Sequence, residues 1–140
     1  VGTAAIEQLI QLANGAPLAA IALAQAPWYS KRSLWLTTWQ ALRSGKRSGV
    51  AASDYWQSQL NIKEFIQLSE LMLLDIRRVC LGLVELQKDV NLSTILATYQ
   101  PTDSGLEAFA NSVQQTKIAL QQNVQEKFAY DKLMQELASL

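Results

Sequence analysis

Lys31, Arg32, Arg43, Lys46 and Arg47 lie within one stretch that holds no acidic residue, and Trp28, Tyr29, Trp35 and Trp39 are interleaved with or adjacent to them. Basic charge combined with aromatic rings is the chemistry that grips single-stranded nucleic acid, because cations follow the phosphates and rings stack on bases. The competing reading of the same span is structural: the rings face a core and the charges coat a solvated surface. Within the span, Gly45-Lys46-Arg47-Ser48-Gly49 invites comparison with a phosphate-binding loop. That loop needs glycine five residues before the Gly-Lys pair, where Gln40 stands, and Ser or Thr after the lysine, where Arg47 stands. The loop is therefore excluded on spacing.

Other chemistries are bounded by what the chain lacks. It has no histidine, which removes imidazole catalysis and every histidine-ligated metal centre from its own repertoire. Cys80 is the single cysteine, so no internal disulfide can form. Cys80 falls on the apolar face of a helical pattern, where a small buried hydrophobe is expected rather than a reactive thiol. The carboxylates are dispersed, with Glu64 and Glu126 placed as capping residues and Asp75 on a helix flank beside Arg77 and Arg78. No pair occupies an apolar setting that would raise a pKa for acid–base work. Catalytic, cofactor and metal sites are accordingly expected to be absent, and the chain is not expected to be an enzyme.

The elements that would carry these residues are helical. Among 140 residues, Leu, Ala and Gln number 22, 18 and 15, a balance that favours helix over strand. Lysine plus arginine and aspartate plus glutamate are 12 each, so the net charge is zero. No apolar run reaches the ~18 residues of a membrane span. A chain opening on Val1 is expected to be a processed product or a piece of a longer protein, so a missing signal peptide carries no information.

The spacing predicts a helix from Thr3 to Ala13 with Ile6, Leu9, Ile10 and Ala13 on one face, stopped by Asn14-Gly15. A second short helix is expected from Pro17, ended by Pro27. Lys31 to Arg43 reads as a helix with Leu34, Trp35, Thr38, Trp39, Ala41 and Leu42 on a broad apolar face. Gly45 to Ser53 reads as a loop, and Ser53-Asp54 as the cap of a helix through Leu60. Asn61 and Glu64 form a capping box opening a long helix to about Leu83. A short helix is expected from Ser93. Ser104 with Glu107, and Asn123 with Glu126, match the same box and predict two last helices with stripes Leu106, Phe109, Val113, Leu120 and Phe128, Tyr130, Leu133, Met134, Leu137. On the long helix, Leu71 and Leu74 fall among the polar positions and are candidate contacts for a partner.

Three segments carry a family resemblance. Leu12-Ala13-Asn14-Gly15-Ala16-Pro17-Leu18-Ala19-Ala20-Ile21-Ala22-Leu23-Ala24 resembles the end of the lid domain in bacterial clamp-loader subunits, where Gly-Ser/Ala-Pro-x-x-Ala-Leu opens the final lid helix. Leu71-Met72-Leu73-Leu74-Asp75-Ile76-Arg77-Arg78 is similar to a long-helix segment in the C-terminal domain of the delta-prime subunit family of the DNA polymerase III clamp loader. The tail from Leu106 through Gln121-Gln122-Asn123 to Lys132-Leu133-Met134-Gln135-Glu136-Leu137 resembles that family's last two helices.

The resemblance implies an all-α fold, an orthogonal array of about five helices of collar type after two short lid-domain helices. It divides the chain into 1–27, the end of an AAA+ lid domain, and 28–140, a helical oligomerisation domain. It implies a cytoplasmic, non-catalytic assembly role in sliding-clamp loading. The partners would be the gamma/tau and delta subunits, with DNA met only through the assembled complex, no membrane, and a monomeric isolated chain. It further implies that Leu18 occupies a vestigial sensor position, since the hydrolysing subunits open this helix with Gly-Ser-x-Arg and this chain has Gly15-Ala16-Pro17-Leu18. A helical nucleic-acid module using Lys31–Arg47 is the alternative function. The family's zinc-binding cysteines belong to an N-terminal module that the resemblance does not cover.

Overall fold

A computed structural model describes residues 3–12 and 22–140. Asn14-Gly15, Pro17 and Leu18 lie outside them. The described residues form helices joined by turns and loops, with no strand among them. Helix α1 spans Thr3–Leu12, and residues 22–25 are helical. A 3-10 turn, Tyr29–Lys31, leads into α2, Arg32–Arg43. Then follow α3 (Gly49–Gln57), α4 (Ile62–Cys80), a 3-10 turn (Lys88–Val90), α5 (Leu92–Thr98), α6 (Asp103–Leu120) and α7 (Glu126–Ala138). None of the described helices is long and apolar enough to cross a membrane.

Helix α4 begins where its sequence dictates. Asn61 accepts the Glu64 N–H at 2.9 Å and Glu64 accepts the Asn61 N–H at 3.1 Å, so two orphan donors are satisfied reciprocally. It ends at Cys80, three residues before Leu83, because Gly82 adopts φ +81°. The Gly82 and Leu83 N–H groups then donate back to Val79 and Arg78 carbonyls, a Schellman closure that leaves Leu83 half exposed.

Three other helix starts differ from expectation. Helix α3 opens at Gly49, capped by the Ser48 hydroxyl accepting from Ala51 N–H, so the loop is shorter than Gly45–Ser53. Ser53 is fully buried inside that helix and does not cap it. The small face Gly49, Ala52 and Ser53 lets α3 approach α7 closely; a Cβ on Gly49 would meet the Met134 Cβ at 4.0 Å. Helix α6 is capped by Thr102, which accepts from Gly105 N–H at 3.0 Å, rather than by a Ser104–Glu107 box. Asn123 takes φ +61° in the turn after α6, and α7 starts after Gln125 without a side-chain cap.

The core is aromatic at its centre. Trp35, Trp39, Trp56, Phe65, Phe109 and Tyr130 are fully buried. Phe65 sits 5.0 Å from Trp56 and 5.1 Å from Tyr130, centroid to centroid, in tilted or edge-on contact. Three of their polar atoms are answered: Trp35 donates to Ser69 Oγ, Trp56 to Thr38 Oγ1, and the Tyr130 hydroxyl to the Leu60 carbonyl at 2.6 Å, whereas the buried Trp39 indole N–H has no partner among the described residues. Burial raises the Tyr130 phenol well above its ordinary value, with the charges of Glu126 and Glu64 adding to the effect. Leu36 joins this core from outside the face expected for the Lys31–Arg43 helix, while Phe128, expected within the last stripe, is 60% exposed.

Asp75 is not a solvated flank residue. It is fully buried, and its two oxygens accept the backbone N–H groups of Leu86 and Gln87 at 2.8 and 2.9 Å. One carboxylate thus pins the chain leaving α4, satisfying two donors that would otherwise be stranded. Asp89, a little further on, forms a two-pronged pair with Arg32 at 3.0 and 2.7 Å. Gln8 of α1 reaches the same place, donating to Asp89 and accepting from the Lys88 N–H.

Candidate subunit interface

Helices α4 and α6 pack antiparallel. Lys117 near the end of α6 pairs with Glu70 of α4 at 2.8 Å, while Cys80, the last residue of α4, and Asp103, the first of α6, line the same groove. Between the helices runs an open groove of about 750 Å³. Leu73, Leu106, Ala110 and Val113 form its apolar floor. The α4 side carries Leu74 and Leu81, 49% and 78% exposed, with Arg77 between them. The α6 side is polar: Asp103, Glu107, Asn111 and Gln114.

Leu81 is the C-cap of α4, seven residues after Leu74, and its N–H still donates to the Arg77 carbonyl, so it continues the face of the helix that carries Leu74. Two large apolar side chains held open on one face lose hydration cost only when something covers them. Leu83 and Val84, 50% and 62% exposed, follow directly in sequence and add apolar surface beyond the helix end. Arg78 ties this end down by donating to the Val84 carbonyl.

Leu71 and Leu74, paired on the sequence as candidate contacts, are separated by the fold. Leu74 lines the groove, whereas Leu71 is partly buried against the core and does not. Cys80 also lines the groove and is half-buried. Burial, and secondarily the negative field of Asp103, push its thiol above the ordinary value. It remains a protonated, weakly polar wall residue, the opposite of the electropositive setting that activates a nucleophile.

No family model, curated protein or solved structure matches this chain.

The basic–aromatic span is spent largely inside the molecule. Arg32 is buried, donates through Nε to the Tyr29 carbonyl, and lies 3.8 Å over the Tyr29 ring while paired with Asp89. Arg43 sits 4.0 Å over the Tyr99 ring, and Lys31 donates to Gln59 Oε1 at 3.0 Å. Trp35 and Trp39 have no exposed surface, and Trp28 is buried with its indole N–H on Gln67. The rings are therefore not presented for base stacking. Lys46 is exposed and Arg47 lies 5.5 Å over the Tyr55 ring, which leaves only this pair at the loop surface.

Sequence reasoning did not single out Leu81, Arg77, Asp103 or Glu107 as a site. A signal was present in part: Leu74 and Leu81 keep a seven-residue spacing, and Asp103 and Glu107 are one turn apart. Their meeting depends on the antiparallel docking of α4 on α6, which is a tertiary fact.

Proposed function

We propose that this chain is a non-catalytic subunit-assembly domain of the clamp-loader collar type, most similar in pattern to the C-terminal domain of the delta-prime subunit family. The observation that carries the reading is the open α4 face. Leu71–Arg78, one of the segments on which the resemblance rests, lies in that helix, and Leu74 from that segment stands exposed beside Leu81 over a groove. Helix-on-helix burial against neighbouring subunits would cover it, and stable interfaces of this kind bury upwards of about 1,200 Å² in total. The partners on this reading are the gamma/tau and delta subunits, in the cytoplasm, with DNA engaged only by the assembled ring.

The same reading assigns residues 1–27 to the end of a lid domain, with Leu18 where motor subunits place a phosphate-sensing arginine. Leucine supplies neither charge nor a donor, so it cannot replace a charge-assisted arginine contact. The test is to mix the chain with the gamma/tau and delta subunits and follow co-elution. A stoichiometric complex is expected. Failure to co-elute with any of them overturns the assembly role, and saturable ATP binding by the chain in calorimetry overturns the assignment of Leu18.

A further inference from the structure

The two sides of the α4–α6 groove differ in chemistry, and the difference describes what fits between them. From Glu70 on α4 to its C-cap Leu81 and from Asp103 to Gln114 on α6, each side runs about 16 Å at 1.5 Å per residue. That is about three turns of a third helix. The α4 side offers Leu74 and Leu81. The α6 side offers Asp103 and Glu107, one turn apart, both exposed and without an ion pair among the described residues. Glu70, by contrast, is already engaged by Lys117.

We propose that the groove receives one α-helix of a partner subunit, about three turns long, with an apolar stripe against Leu74 and Leu81 and two basic residues one turn apart against Asp103 and Glu107. This deepens the assembly reading and rests on it. Arg77, between the two leucines, repels cations on the α4 side and so fixes which flank of the incoming helix is basic. The apolar stripe supplies affinity, because Leu74 and Leu81 leave water on binding. The carboxylate pair supplies orientation and discrimination against acidic helices.

The test uses the whole chain and two designed helices of about 14 residues, long enough for the groove. Both carry a Leu stripe; one carries two Lys one turn apart beside it, the other two Glu. Fluorescence anisotropy is expected to show the Lys helix bound about tenfold more tightly, given two exposed charge contacts exchanged for two repulsions. Asp103→Asn with Glu107→Gln should bring the two helices near parity, and Asp103→Lys with Glu107→Lys should reverse the order. Leu74→Glu should abolish binding of both, with circular dichroism unchanged. Equal binding of the two helices by the unmodified chain, no binding of the Lys helix, or a preference that survives charge removal overturns the proposal. Occupation of the groove by a second copy of the chain, seen as a dimer that excludes the Lys helix, overturns it as well. Co-elution with the gamma/tau and delta subunits separates the two levels. If the unmodified chain and the charge-reversed variant co-elute equally well, the groove inference fails and the assembly role stands. If the unmodified chain does not co-elute, the assembly role itself fails.

Discussion

On one side of α4, which packs against α2, α5, α6 and α7, Phe65, Leu68, Met72 and Ile76 are buried, with Phe65 also against Trp56 of α3; on the other, Leu74 and, at the helix end, Leu81 stand open with Arg77 between them. Both sides belong to one continuous helix with one capping box, so neither helix propensity nor capping distinguishes them. The difference is in what each side has been given to touch. Residues on the closed side contribute folding energy through area removed from water and through packing without voids. Leu74 and Leu81 contribute little of either in the isolated chain. On the proposed assembly reading their burial is deferred to a second molecule, which is how a helix could serve a core and an interface at once. Substitutions on the closed side should therefore change stability, and those on the open side should change association.

The largest effect is expected from Phe65→Ala. The ring has no exposed surface and touches both Trp56 and Tyr130, so truncation opens a cavity among side chains that cannot all follow it inward. A loss of about 3–5 kcal/mol is expected in urea denaturation. A loss below about 1 kcal/mol would mean that the closed side is loosely packed, and the contrast between the two sides would disappear.

Asp75→Ala should come next. It strands the Leu86 and Gln87 N–H groups, and the Gln87 N–H lies in a buried setting. Hydrogen bonds to a charged group are worth about 1.5–3 kcal/mol each, and partial rehydration of the loop offsets some of that, so about 2–4 kcal/mol is expected. Amide exchange at Leu86 and Gln87 should accelerate sharply in any molecules that remain folded. Asp75→Asn keeps one acceptor oxygen and should lose less than Asp75→Ala by the same measurement.

How much of this could be read from sequence depends on whether the determining contact is local. Helix α4 was legible at its start because Asn61 and Glu64 satisfy each other within four residues. The same template misled at Ser104–Glu107, since Thr102 offers an equally good oxygen two residues earlier and takes the Gly105 N–H. At Asn123–Glu126 it misled for a different reason: asparagine tolerates a left-handed conformation, and Asn123 uses it to turn the chain after α6. Asp75 was illegible because its partners are backbone groups eleven and twelve residues away, which leave no side-chain signature. Leu71 and Leu74 look alike on a helical wheel; only the packing around α4 half-covers one and leaves the other lining the groove. The basic–aromatic span was legible as composition alone, and the inward direction of Trp35 and Trp39 follows from the core that they build with Phe109 and Tyr99.

A smaller effect should appear on acidification. Burial alone would raise the Asp89 carboxyl, but the Arg32 and Gln8 hydrogen bonds and the Arg32 charge outweigh it and hold the group below its ordinary value of 3.8. A carboxylate lowered on folding stabilises the folded state fully at pH above that value, and the contribution is lost as pH falls below it. Asp89 is half exposed, so the stabilisation is modest, about 1 kcal/mol or less. The Gln8 side-chain amide resonances should report it, moving toward free values below the ordinary aspartate range and already sitting there in Asp89→Ala, which removes the acceptor oxygen. Resonances indifferent to both changes would show that α1 is not held by this contact.

The smallest effect on stability, and the sharpest on association, is expected from Leu74→Glu. Leu74 is 49% exposed, so replacing it costs only the part of its side chain now resting on the groove floor, about 0.5 kcal/mol or less. Leu71→Glu is the control that the fold supplies. Its side chain is partly buried against the core, so the same substitution one turn earlier forces a carboxylate toward apolar surroundings and should cost about 1–3 kcal/mol. The pair thus separates two explanations for any loss of partner binding. If Leu74→Glu abolishes co-elution with the other subunits at unchanged thermal midpoint, the exposed leucine acts through contact. If only Leu71→Glu weakens co-elution, and does so in proportion to its loss of stability, the open side of α4 is ordinary surface and the partner docks elsewhere. A glutamate at position 74 also places a third unpaired acid in the groove beside Asp103 and Glu107. A helix held there by apolar contact loses binding to that variant, whereas one held only by basic charge gains it.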